Sequence, residues 1–167
     1  MRILIDADGC PVIKESIKIA KKFGLEAVIF CDTSHYFDEE NVRTVFISKG
    51  VDAVDFAILN NLDKEDIVVT QDYGLASLVL SKNSYAINQN GMIYTKENID
   101  ELLYYRYISK KMRNSGVRLK GPKKREKSQN YIFEESLKKL ILEKMKNNLK
   151  GYRFQIKIYL KLFYICW

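Results

Sequence analysis

One histidine and three cysteines are all that the 167 residues offer as soft metal ligands, and Cys10, Cys31 and Cys166 form no CxxC pair. Neither a disulfide framework nor a zinc cage is written in such a chain, and a reducing cytoplasm fits it best. His35 has no second histidine or cysteine at ligand spacing and there is no Gly-x-Ser-x-Gly elbow, so an acyl-transfer triad has no support and His35 reads as a surface residue. Gly-rich phosphate loops of the GxGxxG or GxxxxGK type are also missing, which leaves ATP- and NAD-dependent mechanisms without support. No cationic segment precedes an apolar run at the N-terminus, and no stretch of about 18 uncharged apolar residues could span a bilayer. A membrane span is therefore not expected. Internal repeats and low-complexity tracts are absent as well, which removes solenoid folds.

What is present is an ordinary globular composition, with 47% apolar and 29% charged residues, in a chain the size of one domain. The net charge of +7 hides a division. Residues 1–102 carry 10 Lys/Arg against 17 Asp/Glu, and residues 103–167 carry 18 against 4. A chain so divided can set an acidic, cation-binding site next to a basic surface that holds a polyanion, although a Lys-rich surface also serves solubility alone.

Short apolar runs alternate with helical patterns. Ile3-Leu4-Ile5, residues 27–31, 43–47, 66–70 and 85–87 read as strands, and their unbroken hydrophobicity is that of parallel strands buried on both faces. Between them, Val12, Ile13, Ile17, Ala20 and Phe23 mark a first helix that starts near Pro11 and stops at Gly24. Further helices are expected over 51–62, 75–80, 96–112 and 130–146. This order predicts an α/β fold with a doubly wound, mostly parallel sheet, in which ligands bind outside the carboxyl ends of the strands where strand order reverses. The segment from Arg106 to Lys127, with ten basic residues and one acidic, reads as a mobile basic loop whose Lys and Arg side chains hold backbone phosphates. Phe154, Ile156, Ile158, Leu160 and Leu162 alternate with polar residues, the period of a half-buried strand that could dock on a sheet edge or join two copies in a homodimer, and Phe163-Tyr164-Ile165-Cys166-Trp167 equally reads as an exposed apolar end that could aggregate or touch a membrane surface.

Aspartates gather where such sheets bind ligands. Asp6 and Asp8 follow the first strand, Asp55 falls in the first turn of the second helix, three residues after Asp52, and Asp72 follows the fourth strand. Converging carboxylates suit Mg²⁺ or Mn²⁺, hard cations that prefer oxygen and activate water for attack on phosphorus. Each acid also has a plainer use: Asp8 closing a turn, Asp55 as a solvated charge, Asp72 capping the next helix. Thr70, two residues before Asp72, can orient a ligand or serve only as a β-former, and Ser34 is a weaker hydroxyl candidate.

Ile5-Asp6-Ala7-Asp8-Gly9-Cys10-Pro11, Val69-Thr70-Gln71-Asp72 with Leu75-Ala76, Ile87-Asn88 with Gly91 and Tyr94-Thr95, and Ser115-Gly116 with Gly121-Pro122 together resemble the YaiI/YqxD family of uncharacterised bacterial proteins over residues 1–142. That family looks PIN-like, so the resemblance implies a three-layer α/β/α domain over 1–147 followed by an atypical tail over 148–167. PIN domains are typically Mg²⁺- or Mn²⁺-dependent ribonucleases with three or four clustered acids. By position the resemblance assigns metal and catalysis to Asp6, Asp8, Asp55 and Asp72, and RNA binding to the basic part with Arg106, Arg113, Lys123, Lys124 and Arg125. Helix two offers Asp52 and Asp55 where many PIN nucleases place a glutamate. A non-catalytic nucleic-acid-binding or interaction protein on the same fold stays open beside the nuclease.

Overall fold

The structure is a computed structural model that describes residues 1–31, 41–48, 50, 52–118, 121 and 124–165, with side chains as far as residue 147. Six strands form one sheet in the order β3-β2-β1-β4-β5-β6: β1 (Ile3–Asp6), β2 (Ala27–Cys31), β3 (Val42–Phe46), β4 (Ile67–Val69), β5 (Tyr85–Ile87) and β6 (Ile93–Tyr94). The first five pair in parallel, and β6 returns antiparallel against β5. That short sixth strand has too few residues for any period to show. The chain moves outward from β1 to β3 and then crosses to β4 on the other side of β1, so strand order reverses between β1 and β4.

Five helices complete three layers: α1 (Ile13–Phe23), α2 (Ala53–Asn61), α3 (Tyr73–Ser81), α4 (Lys96–Asn114) and α5 (Ser128–Ile165). The central strands are apolar on both faces because both are covered. Ile3, Ile5, Ile29 and Val69 face one side, where they meet Ile17 and Ala20 of α1 and Phe133, Leu137 and Ile141 of α5. Leu4, Val28, Phe30 and Val68 face the other, against Ile58 of α2, Leu75 and Val79 of α3 and Ile99 of α4. Gly24 ends α1 in the left-handed conformation (φ 63°), which bonds its N–H back to the last helical carbonyls. Gly91 (φ +86°) lets α5 approach the β5–β6 turn, since a Cβ there would stand 2.7 Å from Ser136 Oγ.

Two expectations are corrected. The basic segment 106–127 is not one loop: Arg106 to Asn114 continue α4, because the helix begins on a full Thr95–Asn98 capping box and nothing breaks it before Gly116. Its far end is also tied down, since the Arg125 guanidinium donates to Gln89 O at 2.8 Å and to Asn130 Oδ1. The alternating stretch 152–162 is not a strand. Its backbone continues α5, whose i→i−4 bonds are local, whereas a strand needs a partner edge to pair with. The strand-mediated dimer contact therefore has no strand to act through. Ser34, His35 and Lys123 lie outside the described residues. Among the described residues no helix is long and apolar enough to cross a membrane.

Candidate acidic active site at the strand-order switch

Asp6 is the last residue of β1, and Asp8 sits in the turn that follows. The strand ends at Asp6, so the turn over Ala7–Gly9, with Gly9 at φ 67°, rather than strand alternation brings Asp8 to the same mouth. Thr70, directly after β4, donates its hydroxyl to Asp6 Oδ2 at 2.7 Å, and Thr70 Oγ1 itself accepts the Asp72 N–H at 3.0 Å. One buried side chain thereby couples the ends of two adjacent strands on either side of the switch. Asp72 is the N-cap of α3: its Oδ1 accepts from Gly74 N at 2.6 Å and Leu75 N at 3.1 Å. The capping role read from the sequence is thus real, and it coexists with placement at the cleft.

Asp55 reaches the same cleft from the first turn of α2, and Asp52 precedes it in a left-handed conformation (φ 55°) at that helix's N-terminus. Arg106, on α4, donates to Asp72 Oδ1 at 3.1 Å and to Oδ2 at 2.9 Å. Together Asp6, Asp8, Asp52, Asp55, Asp72 and Arg106 line an open cleft of about 620 Å³ that Gln71 and Tyr73 also face. Gln71 Nε2 donates to Gly9 O at 2.9 Å, which links the loops that carry Asp8 and Asp72.

Protonation records how closely the acids stand. Burial pushes the Asp6 carboxyl above its ordinary range, the Thr70 hydroxyl pulls it back, and the negative charges of Asp8 and Asp72 push it up again. Asp55 is raised to about 6, first by burial, then by Asp72, Asp6 and Asp52, with Arg106 opposing. A crowd of carboxylates with one arginine among them is an electrostatic deficit that a cation would relieve. Among the described residues, however, no three His, Cys, Asp or Glu side chains stand close enough to hold a metal ion between them. The all-oxygen donor set suits a hydrated Mg²⁺ or Mn²⁺, which takes one or two carboxylates and keeps its remaining waters.

All four aspartates expected from the sequence share this cleft, and Arg106 joins them. Arg113 and Lys124 are exposed away from it, and Arg125 is partly buried in structural hydrogen bonds. The bridge by Gln71 and the wall made by Tyr73 were missed. Their only signal was adjacency to Asp72.

Comparison with known proteins follows the same residues. Residues 4–143 match the family described as uncharacterised, YaiI/YqxD. A UPF0178 protein of Exiguobacterium sibiricum is 49% identical over 144 residues, which cover 86% of this chain and 99% of the relative. The UPF0178 protein of Clostridium kluyveri is 45% identical over 142 residues, 85% of this chain and 93% of its own. That of Natranaerobius thermophilus is 42% identical over 144 residues, 86% and 97% of the two chains. No solved structure matches.

Proposed function

Since the chain belongs to the YaiI/YqxD family, we propose from its acidic cleft that it is a divalent-cation-dependent phosphodiesterase acting on RNA. The observation that carries this reading is the meeting of Asp6, Asp8, Asp55 and Asp72, from separate segments of the chain, at the point where strand order reverses. One or two of Asp6, Asp8, Asp55 and Asp72 would hold a hydrated Mg²⁺ or Mn²⁺, whose remaining positions stay with water. Such an ion, when bound, lowers the pKa of water and neutralises charge that develops on the phosphoryl oxygens.

The chain's own groups supply the rest. Thr70 holds the Asp6 carboxylate in one orientation. Burial and the neighbouring carboxylates raise Asp55 to about 6, and a cation in the cleft would hold it ionised. Arg106 brings a guanidinium to the cleft, where its Nη1 meets both oxygens of Asp72, and that group matches a phosphate as well as a carboxylate. The basic second half of the chain holds the polyanion beside the acids.

Calorimetric titration of Mn²⁺ into the wild type and the Asp6→Asn/Asp55→Asn variant tests this, with thermal unfolding as the folding control and cleavage of a labelled RNA as the second readout. Binding and cleavage lost together in a folded variant support the proposal. A wild type that binds no Mn²⁺ defeats it. A second reading, a non-catalytic RNA-binding module, is favoured by one feature: Arg106 already engages both oxygens of Asp72. Salt-sensitive RNA binding without cleavage in Mn²⁺ would select that reading.

A further inference from the structure

Past Leu103, α4 turns most of its circumference to solvent: from Tyr104 to Asn114 every residue except Ile108 and Ser109 is exposed. Ile99, Leu102 and Leu103 hold the helix to the body by one face, and Arg106 continues that face to Asp72. Roughly opposite Arg106 on the helix stand Glu97, Glu101, Tyr104, Ile108, Lys111 and Ser115, at i, i+4, i+7, i+11, i+14 and i+18. That is the spacing of a seam between two packed helices, on a face with no core behind it. Tyr105 and Met112 flank the seam. Tyr104 and Tyr105 are 61% and 59% exposed, with their rings 6.5 Å apart, so neither is spent on the core. The seam is acidic where it begins, at Glu97 and Glu101, apolar at its centre and basic at Lys111. No acidic residue follows Glu101 until Glu126.

We infer that this outer face of α4 is a self-association surface, on which a second copy of the chain lays its own α4 antiparallel. The order of charge along the seam names the occupant. A twofold contact sets each residue against its counterpart in reverse order, so a helix that runs from acid to base is complementary to itself when the copy is turned end for end. With the twofold axis level with Arg106, Tyr104 meets Ile108 of the second copy, and Glu101 meets its Lys111. Parallel pairing would instead set Glu101 against Glu101 and Lys111 against Lys111, like against like. Among the described residues neither Glu101 nor Lys111 has an ion-pair partner within its own chain. Single apolar residues on a surface need no account, whereas Tyr104, Ile108 and Met112 recur every fourth residue in one stripe. Arg106 points the other way, so the contact leaves each acidic cleft open, and the inference is independent of what the cleft does. One helix from each chain makes a small interface, so the association should depend on concentration.

Sedimentation velocity of the full chain over a micromolar concentration series tests the surface, with circular dichroism and thermal unfolding as folding controls for every variant. Wild type is expected to pass from monomer to dimer. Glu101→Lys and Lys111→Glu should each weaken the dimer by about tenfold, because twofold symmetry spoils both ends of the seam at once. Combining them, Glu101→Lys/Lys111→Glu, should restore most of the loss. The two positions lie about 15 Å apart along one helix and cannot touch within a chain, so recovery reports a contact between copies. Tyr104→Asp/Ile108→Asp, which puts charge at the apolar centre, should leave only monomer. A wild type that stays monomeric throughout the series would overturn the inference. So would folded single variants that associate like wild type, or a charge-swapped double variant no tighter than either single one.

Discussion

Thr70 Oγ1 lies 2.7 Å from Asp6 Oδ2 and donates to it across the β1–β4 boundary, while it accepts the backbone N–H of Asp72 from the other side. A hydroxyl is needed for both bonds, because only a group that donates and accepts can serve a carboxylate and an N–H at once. Thr70→Val keeps the shape and removes both. It should destabilise the fold by about 1.5–3 kcal/mol in urea unfolding, the usual size for a hydrogen bond to a charged group. It should also raise the Asp6 pKa further, since the Thr70 bond now holds it down. A carbon-13 NMR titration of the aspartate carboxyls reads that shift directly, and an unmoved Asp6 would show that the bond does not orient the charged form.

Asp55 makes stability depend on pH in a stated direction. Its folded pKa of about 6 lies above the ordinary value of 3.8. Between those values the folded state keeps a proton that the unfolded chain has released, so the contribution of Asp55 to stability falls as pH rises through about 4 to 6. Above that window the ionised carboxylate opposes folding. Asp55→Asn should therefore be more stable than wild type at pH 7 to 8 and no more stable below pH 4. Urea unfolding at both ends of the range decides it, and saturating Mn²⁺ should erase the variant's advantage by neutralising the wild-type cluster.

The fold was legible because central parallel strands are apolar throughout, and the runs at Ile3-Leu4-Ile5, 27–31 and 66–70 have no polar face to confuse them with anything else. Asp6 and Asp72 were legible for the same reason: each interrupts or follows a buried run at the edge where such sheets bind ligands. Asp55 depended on a helix packing against the correct end of the sheet, and Arg106 on α4 leaning over it. Neither is local information. The tail misled because Phe154, Ile158 and Leu162 recur every four residues as well as alternating, so its pattern satisfies both periods, and a strand without an edge to join yields to a helix already running.

At the opposite end of the sheet, an ion pair invisible in the sequence pins β1 to β4. Asp66 is fully buried, and its carboxylate receives Arg2 N at 2.7 Å, Arg2 Nη2 at 2.6 Å and Asp63 N at 3.0 Å. Arg2 also reaches Asn61 O at 2.7 Å, which ties the end of α2 to the same knot. Asp66→Ala leaves the guanidinium with Asp63 and Asn61 O alone and strands two N–H groups, and should cost about 1–3 kcal/mol. Mn²⁺ binding measured below the lowered melting temperature should be unchanged, because the knot lies at the other end of the strands from the cleft. Loss of ion binding in a folded Asp66→Ala protein would show that strand-end geometry is transmitted across the sheet.

Arg106, from the basic half of the chain, faces the acids of the other half. Its guanidinium neutralises Asp72 and lowers the Asp55 pKa, and the same group matches a phosphate. Its two roles pull in opposite directions, since an arginine that occupies a carboxylate competes with a cation for it, while an arginine that grips phosphate attracts RNA. Arg106→Gln should therefore raise Mn²⁺ affinity several-fold when RNA is absent, because the freed Asp72 joins the donor set. The same variant should weaken RNA binding and lower its salt slope by about 0.7, the share of one phosphate contact. Calorimetry and anisotropy on one preparation separate the effects. Should both affinities fall together, Arg106 positions Asp72 for the ion instead of competing with it, and the salt bridge is part of the cation site.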